Sequence, residues 1–391
     1  MKRLKLFTAL VAVAMLSLTS CDTEVEKAAT PLAATQSSQL STSLSSKIKA
    51  SRAAFPEGLK EKLTERSALL LETDPQYRAL VQSALAVEPT PCDDNTPMNV
   101  WLDKQLADWN AEIIGYVLDF DMLNLPTYDA LVFENSSQNQ YYGVNGEYTH
   151  QVTKTFKDLQ RFWNIQSDDI VLAAMHGSMM LNRDKVIRTY VAAYGLSPAQ
   201  AASLADIVTM LTEQVPQYRD GNHPIFTFNA FAQRGFDFGP YGVIPDKIIM
   251  GDGIMEAFGA IGYGDIAPQA ILAHEFGHHI QYQLNLFGTT RGPEATRRTE
   301  LMADAFSAYY LSHARGASMQ WKRVQRFLQV FVNIGDCGFT SAGHHGTPTQ
   351  RMAAAEWGYT VANNAQKQGH ILTAQEFASL FEAELPRLVK L

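Results

Sequence analysis

The chain has 391 residues, 46% of them hydrophobic and 18% charged, with a formal net charge of −8 at pH 7. That length and composition belong to a globular protein with room for a sizeable core, in one large unit or two packed ones. An acidic balance of this kind leaves no electrostatic footprint for nucleic acid, which is excluded as a partner.

The N-terminus reads MKRLKLFTALVAVAMLSLTSC. Lys2, Arg3 and Lys5 form a basic region, Leu6 to Leu18 an apolar stretch too short to span a bilayer stably with its flanks, and small residues follow. Residues 1–20 are therefore expected to be an export signal. Leu18-Thr19-Ser20-Cys21 resembles the bacterial lipobox, which makes Cys21 the expected lipidation site and new N-terminus. The plainer alternative is an ordinary signal peptide with an incidental cysteine. Loss of residues 1–20 removes three basic and no acidic side chains and takes the net charge from −8 to −11. No other stretch is long and apolar enough to cross a membrane. The expectation is a soluble body in the bacterial cell envelope, held to a membrane through Cys21, with inner or outer membrane left open. Cys92 and Cys337 lie where disulfides persist, and whether they pair depends on a Cα separation that sequence does not give.

Residues 21–55 are rich in Ser, Thr, Ala and Gln and nearly lack aromatics, a composition that cannot offset ordering entropy. They read as a flexible tether. Residues 56–217 carry helical patterns, interrupted by EPTPCDDNTP, and no motif that attaches to chemistry. Within them Ser197 is an N-cap with Pro198 at the first helical position, and the helix should run through Leu211. Residues 218–391 open on the turn Asp220-Gly221-Asn222, followed by extended runs at IFTFNAF and at Asp246 to Met250. A helix then starts with Asp265 as N-cap and Pro268 in its first turn, and continues through His274 and His278 to about Leu284. Further helices are expected over about Ala295 to Ala314 and Met319 to Val332, and after Thr347 and Thr373. The fold class is thus α+β and predominantly helical, with a small sheet and an N-terminal helical segment.

The chemistry concentrates in ILAHEFGHHIQ, Ile271 to Gln281. His274 and His278, four residues apart, share one helical face and can offer two imidazole nitrogens to a single ion. Glu275 sits about 100° round the same helix, close enough to serve a water without ligating the metal itself. A catalytic zinc needs a third protein ligand, and Glu300 in the next helix can supply it. Asp304, one turn later, can accept the remaining ring N–H of a ligating histidine and fix its tautomer. His279 cannot share that face, so a supporting or substrate-facing role and plain core packing both stand open. His344 and His345 lie in a loop capped by Thr347; His345 is a candidate donor to the transition state, and the alternative is a turn leading into a helix. Asp336 and Arg351 are open in the same way.

At these residues the chain resembles the bacterial family of neutral zinc metallopeptidases. The resemblance runs through DKIIMGDGI, the Gly264-Asp265 helix start, HEFGHHIQ, ELMADAFSAYY and HGTPTQRMAAAEWGY, from about Asn222 to Tyr359, roughly a third of the chain. It implies a zincin-like fold over residues 218–391, one Zn²⁺ per chain held by His274, His278 and Glu300, and Glu275 as the catalytic residue. Two departures stand out. Gly239-Pro240-Tyr241-Gly242-Val243-Ile244-Pro245 lacks the cysteine of the corresponding family segment, and a lipoprotein-like signal replaces a membrane-spanning N-terminus.

The expected activity is hydrolysis of peptide bonds in a peptide or protein substrate, with zinc polarising the scissile carbonyl and Glu275 as general base. A reading from another class is a lipid-anchored binding or assembly factor with a structural or vestigial metal site. Structural zinc is usually closed by four protein ligands, and an intact Glu275 has no clear purpose there. A third reading is that residues 56–217 bind a partner or cell-wall component on which the peptidase acts, or cover the cleft as an inhibitory lid.

Overall fold

The structure is a computed structural model and describes residues 46, 48, 97–287, 293–335, 346–368 and 370–390. Its first elements are helices whose sequences state their own exposed and buried sides. In THQVTKTFKDLQRF, Val152, Phe156 and Leu159 fall on one face and are buried, while Lys154, Asp158 and Arg161 point outward. This is α4 (Thr149–Phe162), preceded by α1 (Pro97–Gln105), α2 (Ala111–Asp119) and α3 (Leu125–Phe133).

Strand β1 (Val171–Met175) follows, then α5 (Arg183–Tyr194) and α6 (Pro198–Gln214). Helix α6 starts as the sequence predicts. The Ser197 hydroxyl accepts from the Gln200 N–H while the Gln200 side chain reaches back to Ser197, with Pro198 in the first turn. The expected extended run at IFTFNAF splits in two. Pro224 to Thr227 form a turn of 3₁₀ helix, because Pro224 fixes its own φ and His223 Nδ1 accepts the Ile225 N–H at 3.2 Å. Only from Ala230 does the chain extend, as β2 (Ala230–Gln233).

A short hairpin, β3 (Phe236–Asp237) and β4 (Val243–Ile244), leads into β5 (Lys247–Gly251). The sheet has the order β1-β5-β2, with β1 parallel and β2 antiparallel to β5, and the register is fixed by Ala173 opposite Ile249 and Phe231 opposite Ile249. The near-continuous apolar runs VLAAM and KIIMG are buried on both faces, as parallel strands covered by helices require. The outer edge of β1 is closed by side chains. Leu172 N–H donates to Ser137 Oγ at 2.9 Å and Ala174 N–H to Gln140 Oε1 at 3.0 Å, so its amides are not left as a template for another strand.

Helices α7 (Asp252–Ala260), α8 (Ala267–Gln283), α9 (Pro293–Ser312), α10 (Trp321–Gly335), α11 (Pro348–Gln368) and α12 (Ala374–Leu388) complete the order. Capping boxes start the last two, between Thr347 and Gln350 and between Thr373 and Glu376. One start differs from expectation. Asp265 is not the N-cap of α8: Ile266 holds that position without a side-chain bond, and the Asp265 carboxylate is taken up by the Arg323 guanidinium. Pro268 does fall in the first turn.

Alternate residues of the sheet feed different cores. Leu172, Ala174, Ile248 and Met250 face a large cluster that also holds Met98, Phe156, Ile271, Phe276, Phe306 and Phe377. Ala173, Met175 and Ile249 face the opposite side with Leu131 of α3. A separate helical cluster joins α2, α5 and α6 through Val117, Tyr190 and Leu204. Residues from both sides of the boundary drawn near Gln217 thus share one sheet and one core. The described residues are mostly helical with a small mixed sheet. Among them, no helix is long and apolar enough to cross a membrane.

Candidate metal centre

Helix α8 is buried nearly all round: Ile271, Leu272, Ala273, Phe276 and Ile280 belong to the core, and His274, Glu275, Gly277, His279 and Gln281 are buried as well. Polar side chains on such a helix cannot rely on water and need partners within the protein. His279 is 0% exposed, and its Nε2 donates to the Lys247 carbonyl at 2.8 Å, while Nδ1 lies 3.5 Å from Asp246 Oδ2. This fastens α8 to the first residue of β5 and answers the open question about His279: it is a tether to the sheet. Asp246 in turn accepts the Gly235 N–H at 2.6 Å. Burial works to raise its pKa, and these donors together with Arg234 outweigh burial and hold it low.

His274 and His278 point the other way, toward α9. His274 Nε2 is 3.3 Å from Glu300 Oε2, and His278 Nε2 is 3.5 Å from Glu300 Oε1. All three residues present one ligand atom within 4.8 Å of the others, and together they could hold a metal ion. The crossing that makes this possible is close. A Cβ on Gly277 would lie 3.2 Å from Ala303 Cα and 3.4 Å from the Cβ atoms of Ala303 and Phe306, so only small residues allow α8 and α9 to meet there. Glu300 stands one turn before Ala303 on the contacting face, and Ser307, one turn after it, donates to the Ala270 carbonyl at 3.0 Å.

The outer nitrogens of both imidazoles face oxygen. His274 Nδ1 is 3.0 Å from Asp304 Oδ1, and His278 Nδ1 is 3.0 Å from Gln281 Oε1. An acceptor at Nδ1 keeps the proton there and leaves the Nε2 lone pair for an ion. Asp304 has a second partner: Arg351 of α11 donates Nε at 2.7 Å and Nη2 at 2.8 Å to its two oxygens, in a bidentate pair that is almost wholly buried. Helix α11 is brought this close by Gly358, where a Cβ would stand 2.4 Å from the Ala305 carbonyl oxygen of α9.

Charge at the site follows from these contacts. Burial alone would lower the pKa of His274, but the carboxylates of Asp304 and Glu300, aided by Glu275, lift it to about 10. Burial pushes Asp304 up, and the Arg351 guanidinium with the His274 ring holds it below the usual carboxylate range. The site is therefore an enclosed place where positive charge is favoured, built from two nitrogens and a carboxylate. Glu275, 7% exposed, lies in the same helix between the two histidines.

The structure thus gathers His274, His278, Glu300 and Asp304, and it adds two residues that sequence left unassigned. Arg351 was open, and Gln281 went unread. A signal for Gln281 existed: an amide three residues after His278 lies on the same side of the helix. No comparable signal placed Arg351, 47 residues beyond Asp304. Cys21, Cys92, Cys337, Asp336, His344 and His345 lie outside the described residues. Gly346, the residue after His345, packs on α9 near Leu301 and Arg297. Comparison of the chain with known proteins gave no matching family, no matching curated protein and no matching solved structure.

Proposed function

We propose that this chain is a zinc-dependent metallopeptidase of the zincin type, exported and lipid-anchored at Cys21, that hydrolyses peptide bonds in a peptide or protein substrate. The observation that carries the reading is the three-residue group itself. His274, His278 and Glu300 bring their donor atoms within 4.8 Å of one another, with both imidazoles backed at Nδ1. Two imidazoles and one carboxylate are the ligand types of a hydrolytic zinc site with three protein ligands. When bound, zinc supplies a Lewis acid and makes water more acidic.

The chain's own residues do the rest. The Glu275 carboxylate accepts the proton of the attacking water and delivers it to the leaving amine as the C–N bond breaks, so amide and water become carboxylate and amine. Its place beside His274 puts it on the helix that presents both imidazoles. Asp304 and Gln281 keep the imidazole protons on Nδ1. Arg351 keeps Asp304 ionised and aimed.

Metal analysis of the purified mature chain should find about one zinc per molecule. Peptide hydrolysis should fall with a chelator and return with zinc. Glu275→Gln should retain the metal while turnover falls by about 10²-fold or more, the range for loss of a positioned general base. Metal at full stoichiometry with no hydrolysis of any peptide pool would turn the reading toward the binding factor.

A further inference from the structure

We infer that Gln281 is a positioning residue for the metal centre, fixing the ligating tautomer of His278 and coupling that ligand to Glu300 on the neighbouring helix. The inference rests on the metal-site reading above. Its physical basis is the direction of two hydrogen bonds.

The Gln281 side chain is 0% exposed. Its amide nitrogen stands 2.6 Å from the Thr299 carbonyl oxygen. A backbone carbonyl can only accept, so the group facing it is the NH₂, which assigns the other end of the amide as oxygen. That oxygen lies 3.0 Å from His278 Nδ1. An amide oxygen also can only accept, so Nδ1 carries the proton. In a neutral imidazole the lone pair then belongs to Nε2, the nitrogen that stands 3.5 Å from Glu300 Oε1. The Thr299 carbonyl thereby selects the tautomer of a histidine on another helix.

The same two bonds do something further. Thr299 directly precedes Glu300, and its hydroxyl is itself fixed by the Thr296 carbonyl at 2.8 Å. One side chain therefore bridges an imidazole of α8 and the backbone beside the carboxylate of α9. Any slide between the two helices that separated Glu300 from His278 would also break the Gln281–Thr299 bond. His274 is backed differently, by an Asp304 carboxylate that is neutralised by Arg351. Both imidazoles thus face an oxygen at Nδ1, and they differ in the charge behind it.

The test uses the mature full-length chain. Histidine ring nitrogens are labelled with ¹⁵N, and His278 is assigned by its loss in His278→Gln. In wild-type protein stripped of metal, His278 should show its proton on Nδ1; a proton on Nε2 in the neutral ring overturns the inference without any variant having to fold. Zinc affinity is then measured by competition with a chromophoric chelator. Gln281→Leu, which removes both bonds, should bind about 10- to 100-fold more weakly, the usual range for loss of an outer partner of a ligand. Gln281→Glu retains an acceptor toward Nδ1 and should recover most of that loss, although it gives up the donor to Thr299. Equal weakening in both variants, or wild-type affinity in Gln281→Leu, would show that Gln281 only joins the helices. Failure of wild-type protein to bind zinc at all would instead defeat the metal-site reading, a separate outcome.

Discussion

Two buried histidines in this molecule have been driven in opposite directions. His223, 1% exposed at the start of the 3₁₀ turn, meets the Gln105 carbonyl at Nε2 and the Ile225 N–H at Nδ1. Burial dominates there and lowers its pKa to about 4, with the Gln105 carbonyl only partly opposing and Arg219 adding to the fall. His274 is as fully enclosed, yet burial loses to Asp304 and Glu300, and its pKa rises to about 10. The ring is the same and so is the burial. What differs is the charge of the neighbours, and that difference separates a histidine folded as a neutral core group from one folded where a cation belongs.

A third histidine refines the point. His176 Nδ1 lies 2.7 Å from Asp252 Oδ2, and Tyr141 stacks on its ring at 4.0 Å. The other Asp252 oxygen accepts the Gly143 N–H at 3.1 Å. This pair resembles His274 and Asp304, but among the described residues it gathers no second imidazole and no metal-holding group. A buried aspartate behind a histidine does not make a metal site. The His274 group differs in that a second imidazole and a carboxylate converge with it, so that the three could hold an ion.

The contrast can be attacked most heavily at Arg351. Arg351→Met leaves Asp304 with the His274 ring as its remaining charged partner and should cost about 3–5 kcal/mol, the range for breaking a buried ion pair from one side. Denaturant unfolding of the metal-free protein measures it, and an unchanged midpoint would mean that Asp304 is neutralised by something else.

Protons give the next effect, in opposite senses for the two histidines. His223 has a folded pKa below its unfolded value of 6.5. Its contribution is therefore present above pH 6.5 and is lost as pH falls toward 4, by about 3 kcal/mol at about 1.4 kcal/mol per pKa unit. His274 has a folded pKa above its unfolded value, so in metal-free protein its contribution is present below pH 6.5 and is lost as pH rises through 10. Stability of chelator-treated protein should fall on both limbs. His223→Asn keeps an acceptor for the Ile225 N–H and should flatten the acid limb alone; an acid limb of unaltered slope would contradict the assignment.

Smaller effects come from the helix contacts that assemble the centre. Gly277→Val places bulk against Ala303 and Phe306 and should cost about 1–3 kcal/mol while loosening zinc, because Glu300 moves with α9. Gly358→Ala should destabilise by a similar amount through the Ala305 carbonyl. Smallest of all, Asp252→Asn should leave zinc content unchanged. Any loss of metal in that variant would join the His176 pair to the centre and erase the contrast.

Much of helix α8 was legible before any fold was known. The spacing of His274 and His278, the glutamate between them, and the start of α6 at Ser197 and Pro198 are all consequences of helical repeat and capping, which act within a few residues. Asp265 shows the limit of even that local logic: a suitable N-cap residue was drawn instead to Arg323, 58 positions away. The IFTFNAF run shows it again, since an apolar stretch with β-branched and aromatic residues turned at Pro224 before it extended.

By itself, then, the sequence determined which groups α8 would offer and on which side, because an α-helix sets its own geometry one turn at a time. Only the tertiary structure decided what those groups would meet. Glu300 reaches the imidazoles because Gly277 and Ala303 let two helices touch, and Arg351 reaches Asp304 because Gly358 admits a third. Gln281 takes its orientation from a carbonyl on the facing helix. Such contacts depend on side-chain volume across helix interfaces, a long-range property with no period for the linear chain to display.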